Sequence, residues 1–138
     1  MFEIKRLNNL HDSPAYYDFT KKEMDVQVAR HNLDPQDPED LPCIIAKVND
    51  LTVGIILYKR YHERIDIRFG TVRPEYRRKG YYKLLFNELV KIAKEMNARR
   101  ITSCYFVTNE ESKAMHHRLG RKVVRKTENI HETEYLIQ

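Results

Sequence analysis

From Val72 to Lys83 the chain reads Val-Arg-Pro-Glu-Tyr-Arg-Arg-Lys-Gly-Tyr-Tyr-Lys. Arg77, Arg78, Lys79 and Lys83 surround Gly80 at the point where an extended apolar run gives way to residues at helical spacing. Amides at a helix N-terminus carry partial positive charge and take anions, and neighbouring cations strengthen that field. A glycine there lets the backbone approach a ligand with no Cβ in the way. The chemistry implied is the holding of a phosphorylated ligand. Taken alone, such a run is also compatible with a solvated, basic helix start.

A loop of this kind must be positioned by a strand and a helix. Ile65, Ile67 and Phe69 alternate with Arg64, Asp66 and Arg68, which predicts a strand over 64–72 ended by Pro74. Tyr81, Leu84, Leu85, Leu89, Ile92 and Met96 share a helical face, with Lys83, Asn87, Lys91 and Lys94 elsewhere, so a helix is expected to about Ala98. Upstream, Phe2 to Leu7 alternates as an edge strand. Asp12-Ser13-Pro14 reads as a helix start, with Tyr16, Phe19, Met24 and Val28 carrying the helix to about His31. The Asp/Pro segment 34–42 is a loop. Cys43 to Val48 and Leu51 to Tyr61 form a hairpin through Asn49-Asp50. Downstream come a strand over Ile101 to Val107 and a short helix from Asn109 to Leu119 stopped at Gly120. Two final strands hold Val123-Val124 and Tyr135-Leu136-Ile137, with a turn near Asn129. The order is β-α-β-β-β-α-β-α-β-β. The crossover within 64–107 implies local parallel pairing among antiparallel hairpins, hence an α/β (α+β) fold with a mixed central sheet flanked by helices.

The 138 residues suit a single domain over 1–138, and 41% hydrophobic with 33% charged residues is an ordinary globular balance. No apolar run is long enough to span a membrane, and Met1 to Leu7 lacks the pattern of a secretory signal. Cys43 and Cys104 lie far apart in apolar runs and read as reduced core residues, which implies a cytoplasmic location. The net charge of +5 suits an anionic ligand without selecting one. His116-His117 is no metal site, because neighbouring helical residues point apart and no third ligand is suitably spaced.

Together these features resemble the GNAT family of acyl-CoA-dependent N-acetyltransferases. The resemblance rests on Val72-Arg73-Pro74, on Arg77-Arg78-Lys79-Gly80-Tyr81-Tyr82 opening a long helix, and on Val53-Gly54 in the preceding hairpin. It rests also on Asn109-x-x-Ser112-x-x-Met115-His116-x-Arg118-x-Gly120 and on the element order, and it covers nearly the whole chain. It implies acetyl-CoA as co-substrate, no metal, and a primary amine on a small molecule or protein as acceptor. It also implies that the amides of Arg78 to Tyr82 hold the pyrophosphate, that Arg77, Arg78, Lys79 and Lys83 add charge for the phosphates, and that Tyr81 belongs to the same cradle. The sheet is expected to splay where strand 64–72 meets strand 101–107. The pantetheine arm is expected to bond the backbone near Thr71 and Val72, with Asn109 touching the arm. Asn109 also suits a helix N-cap. Tyr82 departs from the family, which carries glycine or alanine there, so its side chain must turn away from the phosphate or the loop must widen.

Acyl transfer to an amine needs a base for the amine, a donor for the oxyanion and a proton for the departing thiolate. By the resemblance Asp66 is the candidate base, six residues before Val72. Its alternative is an ion pair with Arg64 or Arg68. Cys104 stands where other members keep a base and reads as core. His116 stands where the family has a tyrosine proton donor, with an exposed helical residue as the alternative and Tyr105 as a fallback donor. Arg121 replaces the usual aromatic after the glycine and bears on packing. The acceptor pocket would be lined by Tyr16, Tyr17, loop 33–42 and the last hairpin, and the acids of that loop would attract a cationic amine. Exposed sheet edges make a homodimer plausible. Two other readings stand beside the enzyme: a CoA-binding module without turnover, and a basic nucleic-acid-binding protein. The last lacks a stacking motif or a recognition helix.

Overall fold

The alternating segments become strands and the amphipathic ones helices. The computed structural model describes residues 1–13, 19–30, 39–106 and 109–137. Its elements are β1 (Phe2–Leu7), α1 (Lys21–Arg30), β2 (Cys43–Val48), β3 (Leu51–Arg60), β4 (Arg64–Val72), α2 (Tyr81–Glu95), β5 (Arg100–Phe106), α3 (Glu110–Arg118), β6 (Lys122–Lys126) and β7 (Ile130–Leu136). The strands form a seven-stranded sheet in the order β1-β2-β3-β4-β5-β7-β6. The mixed α/β class and the element order are those the sequence implies. The chain divides into two compact units, Met1–Tyr58 with Phe69–Glu88, and Lys59–Arg68 with Leu89–Gln138.

In the first unit β1 pairs antiparallel with β2, and β2 with β3. Asn49 and Asp50 close the second hairpin with φ of 48° and 69°, the positive values a two-residue turn of this hand requires. The register shifts between Ala46, opposite Gly54, and Lys47, opposite Thr52, so β3 carries a bulge at Val53. Leu10, Phe19, Cys43, Ile45, Ile55 and Leu57 form one buried cluster, with Leu7, Leu41 and Phe69 against it. Each such side chain contributes roughly 1.5–3 kcal/mol on full burial. At Gly54 a Cβ would lie 3.1 Å from Leu85 Cδ1 and 3.2 Å from Val72 Cγ2. The missing side chain is therefore what lets the start of α2 press onto β3 beside the end of β4.

In the second unit β5 pairs parallel with β4 through Arg64–Arg100, Ile65–Ile101 and Asp66–Thr102. On its other side it pairs antiparallel with β7 along its whole length. β6 pairs with β7, with a register shift between Val123 and Arg125, and all five of its residues are exposed. Ile65, Leu89, Ile92, Ala93 and Ile101 are buried in this unit. Asn109 caps α3 by accepting from the Ser112 amide at 3.1 Å. Gly120, at φ 76°, ends it, and the Arg121 amide closes back onto the His116 carbonyl.

Three expectations are corrected. The helix start expected at Asp12-Ser13-Pro14 falls on residues 14–18, outside the described ones; Leu10–Asp12 is a 3-10 turn closed by the Ser13 amide on the Leu10 carbonyl, Ser13 is extended, and α1 is described from Lys21. Helix α2 stops at Glu95 instead of Ala98, because Asn97 takes a left-handed φ of 57° and the Ala98 amide returns to the Ala93 carbonyl. Its buried face is Leu85, Phe86, Leu89, Ile92 and Ala93, and Leu84 is exposed. Cys104 is exposed, because the inward residues of β5 are Ile101, Ser103 and Tyr105 and strand alternation turns Cys104 outward. Pro14, Tyr16, Tyr17, His31, most of the acidic loop and Val107 lie outside the described residues.

Candidate functional site

The phosphate-loop candidates are all in the first unit. After β4, Pro74–Tyr76 form a 3-10 turn with Pro74 in its first position, then Arg78 and Gly80 adopt φ of 63° and 87°. Two left-handed residues so close together turn the chain sharply into α2. The Leu84 amide bonds the Gly80 carbonyl at 3.1 Å, so the helical ladder starts at Gly80 and the first amides of the helix have no acceptor within it. A Cβ on Gly80 would meet nothing within 4 Å. The space in front of the turn is open, as an anion cradle needs.

The cations around this turn divide into two kinds. Arg73 Nε bonds the Thr52 carbonyl at 2.6 Å and its guanidinium lies 4.7 Å from the Phe19 ring. Arg77 Nε bonds the Val72 carbonyl at 2.8 Å. These two tie the loop to the strands. Arg78, Lys79 and Lys83 are exposed at the helix start, Lys79 over the Tyr76 ring. Tyr81 packs near Phe2 and Tyr76. Tyr82 lies over Gly70 of β4, so the large side chain at the family's small position turns back onto the strand and leaves the helix amides clear. Thr71 and Val72 are buried at the end of β4.

The catalytic candidates are in the second unit. Asp66 accepts from the Thr102 hydroxyl at 2.7 Å and from Arg68 Nη1 at 3.2 Å, with Arg64 Nη1 at 3.8 Å. Arg64 also bonds the Thr102 hydroxyl at 3.0 Å. The three β4 residues share the polar face, as their alternation implies, and the ion-pair reading of Asp66 is realised. Cys104 lies near this group. Partial burial first, then the charges of Asp66 and Glu132, push its thiol up from the ordinary range, against the opposing pull of Arg68. Cys43, wholly buried, is pushed to about 12.

His116 is buried rather than exposed on its helix. Its Nδ1 donates to the Ser112 carbonyl at 2.7 Å, which fixes the tautomer and makes Nε2 the acceptor of the Ser103 hydroxyl at 3.3 Å. Burial, with Arg121 nearby, lowers its pKa to about 4 despite the Ser112 bond, so it is neutral at neutral pH. The Tyr105 ring lies 4.9 Å from His116, and the Tyr105 hydroxyl shares a 2.9 Å hydrogen bond with His131 Nδ1. Pattern reading missed this His116–Ser103–Tyr105–His131 cluster. Its signal was the inward parity of Ser103 with Ile101 and Tyr105, a polar residue on an apolar face. Among the described residues, no three His, Cys, Asp or Glu side chains are grouped to hold a metal, and no helix is long and apolar enough to cross a membrane.

The model of the acetyltransferase (GNAT) family matches residues 4–120. No curated protein matches the sequence significantly. Among solved structures, a GNAT-family protein from Desulfovibrio desulfuricans superposes with a TM-score of 0.77 at 14% identity over 100% of both chains. The ribosomal-protein-S18-alanine N-acetyltransferase of Escherichia coli gives 0.71 at 16% identity, over 99% of this chain and 94% of that one. The PaiA N-acetyltransferase of Thermoplasma acidophilum, solved in complex with coenzyme A, gives 0.71 at 15% identity over 99% of each. At such identities the superpositions show the fold, and the family model covers most of the sequence that carries the loop and the asparagine motif. The chain belongs to the acetyltransferase (GNAT) family.

Proposed function

We propose that this chain is a single acyl-CoA-binding domain that moves an acetyl group from acetyl-CoA to a primary amine by direct attack. The observation that carries the reading is Gly80: a left-handed glycine with open space before it, at the start of a helix flanked by Arg78, Lys79 and Lys83. The chain's part is to bind the diphosphate on the amides of Arg78 to Lys83 and to align the pantetheine arm along Thr71 and Val72 and at Asn109. Acetyl-CoA supplies an activated acyl carbon and a thiolate leaving group. Asp66 accepts the proton of the attacking amine, as the N–C bond forms and the C–S bond breaks. The thiolate takes a proton from Tyr105. His116 would serve in its place only where a ligand's charge offsets the burial and the Arg121 field that keep it neutral. The free thiols of Cys43 and Cys104 suit a reducing, cytoplasmic setting.

The capture of Asp66 by Thr102 and Arg68, and the engagement of both His116 nitrogens, favour a second reading as a CoA-binding module without turnover. A thermal-shift titration with acetyl-CoA, CoA and dephospho-CoA, followed by an amine panel, tests both. The enzyme reading expects a raised melting point with acetyl-CoA and CoA, a smaller rise without the 3′-phosphate, and thiol release with at least one amine. A shift with no thiol release across the panel selects the module. No shift with any of the three refutes both.

A further inference from the structure

In the second unit a cavity opens between α3, β5, β6 and β7. It encloses about 560 Å³ and is lined by Tyr105, Lys113, Ala114, His116, His117, Arg121, Lys122, Val123 and Thr133. That is the size of a small-molecule site. Three of its lining residues are permanent cations and none is a carboxylate. Arg121 lines the cavity and is only 5% exposed, while Lys113 and Lys122 stand exposed at the rim. Cations at the wall and rim of a cavity attract an anionic occupant. The same field reaches His116, whose proton affinity is lowered first by burial and then by Arg121. The rest of the lining is the Tyr105 ring, Ala114 and Val123 with the polar His116, His117 and Thr133.

We propose that this cavity binds a small organic anion. Its phosphate or carboxylate group would sit on Arg121, Lys113 and Lys122, and its apolar body against Tyr105, Ala114 and Val123. The site shares Tyr105 and His116 with the proposed acetyl transfer, but none of its residues belongs to the Gly80 loop and its occupation requires no reaction.

The test is residue-resolved NMR titration of the full chain with phenyl phosphate, benzoate and the neutral benzyl alcohol, with potassium chloride as the ionic-strength control. Saturable shifts at Lys113–Ala114, Arg121–Val123 and Thr133 are expected with one or both anions. The Lys113→Gln/Lys122→Gln double variant, changed only at exposed positions, is expected to weaken binding by roughly tenfold or more. Preference for phenyl phosphate over benzoate would identify a phosphate ligand, and the reverse a carboxylate. The proposal is overturned if neither anion gives saturable shifts there, if shifts are confined to Arg77–Lys83, if benzyl alcohol binds as tightly, or if the double variant binds unchanged.

Discussion

Tyr82 lies across Gly70: a Cβ on the glycine would be 2.8 Å from the tyrosine hydroxyl and 2.9 Å from its Cε2. The bulky residue at the helix start and the bare position in β4 therefore accommodate each other. Gly70→Ala is expected to lose roughly 1–3 kcal/mol by overpacking. In a Tyr82→Ala background the same change should be near neutral, since the clash is gone. Urea unfolding of the four proteins in the cycle measures the coupling, and additive effects would show that the two residues do not share this space.

Gly80 differs in kind from Gly70, because it has room but an unusual backbone. Gly80→Ala meets no atom, so its cost is the left-handed φ alone, about 1 kcal/mol of stability. Gly80→Glu adds a carboxylate where the proposed diphosphate sits. It should abolish the CoA thermal shift while unfolding much like the alanine variant. Normal CoA binding by Gly80→Glu would move the ligand away from this turn.

Asp66→Asn should leave the CoA shift intact, since Asp66 is not part of the phosphate loop, and should slow amine acetylation by about 10²–10⁴-fold if the carboxylate is the base. Steady-state rates on whichever amine the panel yields provide the measurement. Unchanged turnover would leave Asp66 as the partner of Thr102 and Arg68 and nothing more.

His116 makes stability depend on pH. The unfolded chain protonates it near 6.5 and the folded chain near 4, so between those values the unfolded state binds more protons. Its contribution is fully present above the unfolded pKa and is lost on acidification, by on the order of 3 kcal/mol once below the folded value. His116→Gln should therefore show a flatter fall in urea midpoint between neutral pH and about pH 4. Parallel curves for variant and parent would contradict the buried, neutral imidazole.

The two thiols should react at different rates. Cys104 is exposed and Cys43 wholly buried, so a thiol reagent should label one cysteine in the native protein and the second only on unfolding. Because Asp66 helps to raise the Cys104 thiol, Asp66→Asn should speed that labelling at fixed pH. Equal rates in the two proteins would separate the carboxylate from the sulfur.

What could be read in advance was whatever local chemistry dictates. Asn49-Asp50 has one favoured turn, Asn109 and Gly120 are strong ends for a helix, and the alternation in 64–72 fixed which side Asp66 takes. What could not be read depends on partners distant in sequence. Asn97 is a residue type that can end a helix, but the apolar spacing up to Met96 did not reveal that α2 stops before it. Cys104 was misplaced because a run of β5 residues is compatible with either parity until β7 pairs with it. For His116 a helical position and a spacing were visible, but not Ser103 beneath it or Arg121 beside it, and these determine its protonation.

The outer rim of the sheet has a bearing on how copies of the chain meet. If two β6 strands aligned antiparallel about Val124, Lys122 of each would stand against Lys126 of the other, and the shift between Val123 and Arg125 would spoil the ladder. Self-association along that rim is thus opposed by charge at low ionic strength and weakened as a barrier when salt is added. Concentrated stocks are expected to be more dispersed in dilute buffer than in brine.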